Sequence, residues 1–415
     1  MKIEMPKDVA SIISRLQHAG HEAFVVGGCV RDTLMGREPE DWDITTSAKP
    51  EEVKIIFIKT IDTGIKHGTV TVLVNGNGYE VTTYRIDGDY ADGRHPDNVR
   101  FTRSLREDLK RRDFTINAIA YNDDKGIRDD FSGIPDLQRH IIRAVGDPFE
   151  RFSEDALRMM RAISFSAQLG FNIDIDTYQA IKVMADGIKN VSMERVQAEL
   201  AKTILSDHPE CVSEYRMTGL FSEILPGINA VLGSKDGEKV RTMLRYMPST
   251  PVMRYAALLS PLGSEKARET MKTLKIDNNT TDMVTRIIKY SGEEDKLGEN
   301  EFAVREAMYK YGPALMENLF VFAEAEIFTK EEVTGLNMRG SRNHLKTIRR
   351  YYDEIIERGD CISLKNLDVT GDDLLQRGYS GKKIGETLEW LMHIVLENPK
   401  LNDKETLLDM LDTGF

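Results

Sequence analysis

The sequence predicts an α+β protein: a small N-terminal mixed α/β region followed by an elongated all-helical remainder. Two observations carry this reading. Up to about residue 140, short apolar runs with strand and helix spacing alternate, and one alternating pair flanks Asn75-Gly76-Asn77-Gly78, a hairpin signal. Beyond Ala144 strand signals largely vanish and helical periodicity takes over to the end. At 415 residues the chain has room for roughly two to four folding units. The expected divisions fall at 1–140, 141–207, 208–300 and 301–415.

The elements follow in order. Residues 9–19 have helical apolar spacing, and 22–26 read as a short strand ending in Gly27-Gly28. Residues 30–35 read as a helix stopped by Gly36, and 42–45 as a second strand. The stretches 69–74 and 79–85 form the predicted hairpin. Residues 87–98, rich in Asp and Gly and without periodicity, read as a mobile loop.

Composition narrows the function classes. The chain is 40% hydrophobic and 30% charged, an ordinary globular balance. Its 3 Cys, widely spaced and odd in number, argue against a disulfide framework or a Cys-rich zinc site and fit a reducing cytoplasm. No apolar run approaches the ~18 residues of a membrane span, and residues 1–10 lack a hydrophobic signal core. The expectation is a cytoplasmic protein without membrane association. A net charge of -12 excludes a polybasic mode of nucleic-acid binding. It does not exclude an RNA enzyme, because phosphate binding depends on local patches.

Asp41-Trp42-Asp43 places two carboxylates at i and i+2 on a predicted strand, on one face and about 7 Å apart. Two hard oxygen donors so placed suit Mg²⁺, which completes its shell with water and substrate phosphates. Alone, such a pair is usually a polar strand edge. Gly27-Gly28, closing a strand and opening a helix, lets the main chain approach a phosphate, and Arg31 stands one turn further on. Together these make a layout for metal-dependent nucleotidyl transfer. Glu80, on the hairpin and facing away from Val81, is a candidate third metal ligand or a solvated acid.

Five segments then appear in order: Gly27-Gly28-Cys29-Val30-Arg31-Asp32, Asp41-Trp42-Asp43, Arg111-Arg112-Asp113-Phe114-Thr115-Ile116-Asn117-Ala118, Glu154-Asp155-Ala156-Leu157-Arg158 and Ser192-Met193-Glu194-Arg195-Val196. This set closely resembles the class II tRNA nucleotidyltransferases of bacterial type, the CCA-adding enzymes of the DNA polymerase beta-like superfamily. It spans about the first half of the chain; the second half matches more loosely, in length, helicity and Gly381-Lys382-Lys383-Ile384-Gly385.

The resemblance implies a nucleotidyltransferase head (1–140), a neck that recognises the base (141–207), a body (208–300) and a tail contacting tRNA (301–415). It implies stepwise addition of the 3′-terminal CCA to tRNA from CTP and ATP with release of pyrophosphate, Mg²⁺ on Asp41 and Asp43, and tRNA bound at its 3′ end and elbow. Whether the chain is a monomer or a dimer stays open. The nucleotide site so implied comprises Gly28, Arg31, Arg112, Asp155, Arg158 and Arg161, with Gly27, Asp113, Asn117, Glu154, Glu194 and Arg195 in support. The loop with Tyr90, Asp92 and Arg94 resembles the element that lets these enzymes change from C to A addition. Relatives that add only CC tend to have it shortened.

Ser153 reads as a helix N-cap and Gly170 as that helix's end, which puts Asp155 and Arg158 on one helical face at i and i+3. By default such a pair is a surface salt bridge; in the family it resembles a protein template for the incoming base. The chain departs from the family at Ser164, where an Arg is usual, so Ser164 is left out of the site. Ser192 reads as another helix start. Two C-terminal clusters are candidate phosphate contacts: Arg339, Arg342, Lys346, Arg349 and Arg350, and the Lys382-Lys383 pair. No His is followed by Asp, so an HD-type phosphohydrolase has no signature. The rival readings are a bacterial poly(A) polymerase, a CC-adding or A-adding relative, and a non-catalytic RNA-binding scaffold.

Overall fold

A computed structural model of the chain describes residues 2–87, 99–292 and 300–412. The chain divides into two compact units, Met1–Ala230 and Val231–Phe415.

The first unit opens with α1 (Lys7–His18), whose Val9, Ile12, Ile13 and Leu16 recur at helical spacing and are all buried. It leads into a seven-stranded sheet: β1 (Ala23–Val26), β2 (Ile44–Thr46), β3 (Thr60–Gly64), β4 (Thr69–Val74), β5 (Asn77–Thr83), β8 (Ala120–Asn122) and β9 (Gly126–Arg128). The strand order is β3-β4-β5-β2-β1-β8-β9. β2 and β5 run parallel and every other pairing is antiparallel. A separate ribbon joins β6 (Arg85–Asp87) to β7 (Val99–Phe101). All four side chains of β1 are buried, as expected of a strand covered on both faces.

The hairpin forms where the sequence placed it. Asn75 and Gly76 have φ of 51° and 86°, and Val74 pairs with Asn77 across them. Two consecutive positive φ values match the twist of the flanking strands. The helix expected at 30–35 begins earlier, as α2 (Gly28–Leu34).

Two expectations are corrected. Asp41, Trp42 and Asp43 lie before β2 rather than on it; only the Asp43 carbonyl joins the ladder, accepting from the Val26 N–H at 3.0 Å. Ser153 caps no helix N-terminus: it lies inside α6 (Pro148–Glu154), its hydroxyl bonded to the Glu150 carbonyl. Asp155 follows in extended geometry, with φ -148° and ψ 103°, and α7 (Leu157–Leu169) starts afresh. Asp155 and Arg158 therefore do not share one helical face.

The rest of the first unit is α3 (Pro50–Ile56), α4 (Leu105–Lys110), α5 (Gly133–Arg139), α8 (Ile175–Met184) and α9 (Met193–Ile204), among other short helices, with a small parallel pair of β10 (Ile141–Ile142) and β11 (Asn172–Ile173). α7 packs against α9 and ends at Gly170, φ 70°, where the sequence placed its stop.

The second unit is helical among the described residues. Its longest helix, Pro313–Thr334, opens with Pro and closes at Gly335 with φ 68°. No described helix is long and apolar enough to cross a membrane.

Candidate active site

The loop from β1 into α2 supplies one wall. Gly27 has φ +84°, and a Cβ on it would lie 3.0 Å from Arg112 Nη1. Conformation and neighbour both demand glycine there. Gly28 has no such conflict, its nearest neighbour being Arg31 Nη2 at 3.7 Å. Together they line a cleft of ≈ 710 Å³ whose other lining residues include Arg31, Asp41, Asp43, Arg112, Asp113, Asn117 and Arg161. Nine of the residues singled out from the sequence thus meet at one place.

Neither the Asp41 nor the Asp43 carboxylate accepts a hydrogen bond or ion pair among the described residues. Loss of water against the cleft wall raises the pKa of Asp43; Arg112 lowers it and Asp41 raises it again. Two neighbouring acids that repel each other, with no cation in direct contact with either among the described residues, are a donor set that fits a hard divalent cation. The parallel register pairing Ile44 with Val81 sets Asp43 abreast of Glu80, one step earlier on each chain. Glu80 is raised by desolvation and by the charges of Asp43 and Asp41. Yet among the described residues no three His, Cys, Asp or Glu side chains converge to hold a metal, so Glu80 does not close a three-donor set.

A hydrogen-bonded row runs along the cleft. Arg31 grips Asp32 at 2.8 and 2.9 Å and gives Nη1 to Asn117 Oδ1 at 2.8 Å. Asn117 Nδ2 donates to Asp113 Oδ1 at 3.2 Å. Asp113 Oδ2 accepts from Arg161 Nε and Nη2 at 2.9 and 2.7 Å. Burial alone would raise the Asp113 carboxyl, but Arg161, with Arg158 and Asn117, holds it down at about 2. Phe165 stands between the two arginines, its ring centroid 5.2 Å from Arg31 Cζ and 5.1 Å from Arg161 Cζ.

Arg111 and Arg112 both pair with Asp108, Arg112 more loosely at 3.8 Å. Arg111 gives two hydrogen bonds to the buried Asp108, whereas Arg112 reaches the cleft and leaves Nε buried without a hydrogen-bond partner among the described residues.

Asp155 and Arg158 do not line the cleft; they lie against it, Asp155 acting electrostatically on Arg161 and Arg158 on Asp113. Asp155 is held by Arg195 and by the Leu157 N–H. Arg158 donates to Glu154 and to the carbonyls of Arg151 and Arg111. Arg195 and Glu154 thus meet the cleft only indirectly, through Asp155 and Arg158. Glu194 is exposed, and Ser192 starts α9 without a side-chain cap bond. Tyr90, Asp92 and Arg94 lie outside the described residues.

Sequence reasoning missed Phe165, Lys202 and Arg37, which also line the cleft. Phe165 lies four residues beyond Arg161 on α7, a spacing that could have indicated it. Of the C-terminal cations, Arg342, Arg349 and Arg350 are paired with Glu331, Glu317 and Glu354, and Lys382 with Glu386.

The poly A polymerase head domain family matches residues 23–143, the family described as an RNA and SrmB-binding site of polymerase A matches 170–232, and tRNA nucleotidyltransferase domain 2 matches 252–411. The CCA-adding enzyme of Leuconostoc mesenteroides is 37% identical over 405 residues, covering 96% of this chain and 94% of that protein. That of Pediococcus pentosaceus is 36% identical over 414 residues, covering 98% and 97%. Among solved structures, the Bacillus stearothermophilus CCA-adding enzyme in complex with CTP superposes with a TM-score of 0.78 at 33% identity, covering 99% of each chain. The Thermotoga maritima CCA-adding enzyme complexed with tRNA shares the fold, with a TM-score of 0.65 at 21% identity, covering 99% of this chain and 97% of that one. Relatives of this identity along the whole length, with the motif residues gathered in one cleft, place the chain in a family: it belongs to the CCA-adding enzymes.

Proposed function

We propose that the chain adds the 3′-terminal CCA to tRNA, stepwise from CTP and ATP, without a nucleic-acid template and with release of pyrophosphate. The observation that supports this most directly is the single cleft that brings together Gly27-Gly28, the unpartnered Asp41 and Asp43, and Arg31, Arg112 and Arg161.

Asp41 and Asp43 would hold a divalent cation, Mg²⁺. A cation held there would supply Lewis-acid stabilisation of the triphosphate and a lowered pKa for the attacking tRNA 3′-hydroxyl. The bare turn at Gly27-Gly28 admits the phosphates to the backbone, and the three arginines give that wall positive charge. Asn117, held between Arg31 and Asp113, keeps one amide N–H and one oxygen lone pair with which to recognise the ribose, while Asp113, its four acceptor positions filled by Arg161, Asn117 and the Phe114 N–H, anchors it.

The base is read by Asp155 and Arg158. Cytosine and adenine each present an amino donor beside a ring-nitrogen acceptor, while uracil and guanine present the reverse. Three of the four lone-pair positions of Asp155 are engaged, as are three of the five donors of Arg158. What remains is acceptor capacity on the acid and donor capacity on the arginine, the complement of C and A. An unmatched buried group costs about 1–3 kcal/mol, which disfavours U and G.

On this reading residues 1–140 form the catalytic head, 141–207 the neck, 208–300 the body and 301–415 a tail that contacts the tRNA elbow, in a cytoplasmic enzyme. The test supplies tRNA lacking its 3′ end, Mg²⁺ and nucleotides singly and together, with products resolved to one nucleotide. Extension by C, C, A and then arrest supports the proposal. A long A ladder indicates a poly(A) polymerase, arrest at CC or addition of A alone a split-function relative, and no extension a scaffold. Asp41→Asn and Asp43→Asn should each abolish extension; retained activity overturns the metal assignment.

A further inference from the structure

The hydrogen-bonded row along the cleft continues past Arg161. Glu199, 3% exposed on α9, accepts from Ser164 Oγ at 2.6 Å on Oε2. Its Oε1 lies 3.6 Å from Arg161 Nη1 and accepts from Lys202 Nζ at 2.8 Å. Lys202 lines the cleft and keeps 48% of its side chain exposed. Two acids and two cations thus alternate from Asp113 through Arg161 and Glu199 to Lys202, with no net charge. Ser164 gives Glu199 a hydrogen bond but no charge. Among the described residues the ion-pair partners of Glu199 are Arg161 and Lys202.

Without the ammonium of Lys202 the row becomes net negative on a wall that a triphosphate must face. Glu199 would then attract Arg161 away from Asp113, loosening the acid that holds Asn117.

We propose that Lys202 is a positioning residue for nucleotide binding: it neutralises Glu199, keeps Arg161 on Asp113, and adds positive charge to the wall that receives the nucleotide's phosphates. The inference rests on the nucleotidyl-transfer reading of the cleft.

The experiment uses the full chain as Lys202→Met, Lys202→Arg and the double variant Lys202→Met with Glu199→Gln. Lys239→Met, which removes an exposed ion pair with Asp236, is the control. KM and kcat for CTP and ATP, melting temperature and CTP retention in equilibrium dialysis are measured. Lys202→Met should raise KM for both nucleotides about tenfold with a much smaller change in kcat, the size expected for one charge-assisted contact. Lys202→Arg should stay near wild type. The double variant should recover part of the loss, since the amide that Glu199→Gln introduces still accepts from Ser164 but bears no charge. A lower melting temperature with unchanged KM overturns the proposal. An equal KM defect in the double variant overturns the role of Glu199. A wild-type chain that fails to extend tRNA sinks the transferase reading, whereas weaker CTP retention by Lys202→Met would still support the assignment of Lys202.

Discussion

Arg195 holds Asp155 with both ends of its guanidinium, Nη1 on Oδ1 at 3.2 Å and Nη2 on Oδ2 at 2.7 Å. Without Arg195 the Leu157 N–H would hold only Oδ1, and a base-reading acceptor must stay in the plane of the base. Arg195→Ala should therefore cost specificity as well as rate. The expected result is about a tenfold fall in the kcat/KM ratio of CTP over UTP, the scale of one misplaced hydrogen bond. Arg195→Lys should restore little, because an ammonium cannot make the two-pronged contact. Arg158→Ala should relax exclusion of both UTP and GTP; unchanged base preference in either variant rejects the pairing scheme.

Asp113 gives a pH-dependent prediction. Its carboxyl is lowered from 3.8 to about 2 in the folded chain. A depressed carboxylate contributes stability that is fully present above the unfolded value and is lost as pH falls through the folded one. The shift corresponds to about 2 kcal/mol. Asp113→Asn should lose that amount at neutral pH, the deficit narrowing below about pH 4 and closing near pH 2. Urea unfolding over a pH series measures it. A deficit independent of pH would assign the loss to packing rather than to the Arg161 pair.

Gly27 and Gly28 are adjacent in sequence and unequal in structure. Gly27→Ala forces a Cβ into a positive-φ position and against Arg112 Nη1 at 3.0 Å. With ψ at -131° this is not the left-handed helical region, and the conformational part alone is worth roughly 1–3 kcal/mol. The melting temperature should fall and nucleotide KM should rise, because Arg112 must move. Gly28→Ala meets nothing nearer than Arg31 Nη2 at 3.7 Å and should fold normally. Its effect should appear only as weaker nucleotide binding, where backbone and phosphate need to come close.

What was legible in the sequence was whatever a local rule determines. A strand ending in two glycines, an Asn-Gly turn between alternating runs and a helix stop at Gly170 all depend on a few neighbouring residues, and all form. The Glu154–Arg158 stretch misled because every residue in it tolerates a helix; the break at Asp155 comes with the grip of Arg195, forty positions away. Asp41 and Asp43 fell outside the strand for a similar reason. Pairing with β5 begins at Ile44, and strand spacing alone cannot say where a partner begins. Lys202 was invisible until α7 packed against α9, which set Ser164, Glu199 and Lys202 beside Arg161.

Phe165 shows how such packing can matter for binding. Its ring lies between the guanidinium carbons of Arg31 and Arg161, and its edge meets Phe114 at 5.7 Å and 82°. Cation–π contacts of this kind are worth about 0.5–2 kcal/mol each. The ring thus touches both cations that the Asn117–Asp113 link already ties together. Phe165→Ala should raise KM for both nucleotides by about tenfold if the two contacts act together. Phe165→Leu, which keeps most of the volume but no π face, should recover stability without recovering KM. If Leu restores both, Phe165 is a packing residue and the arginines are held by Asp32, Asn117 and Asp113 alone.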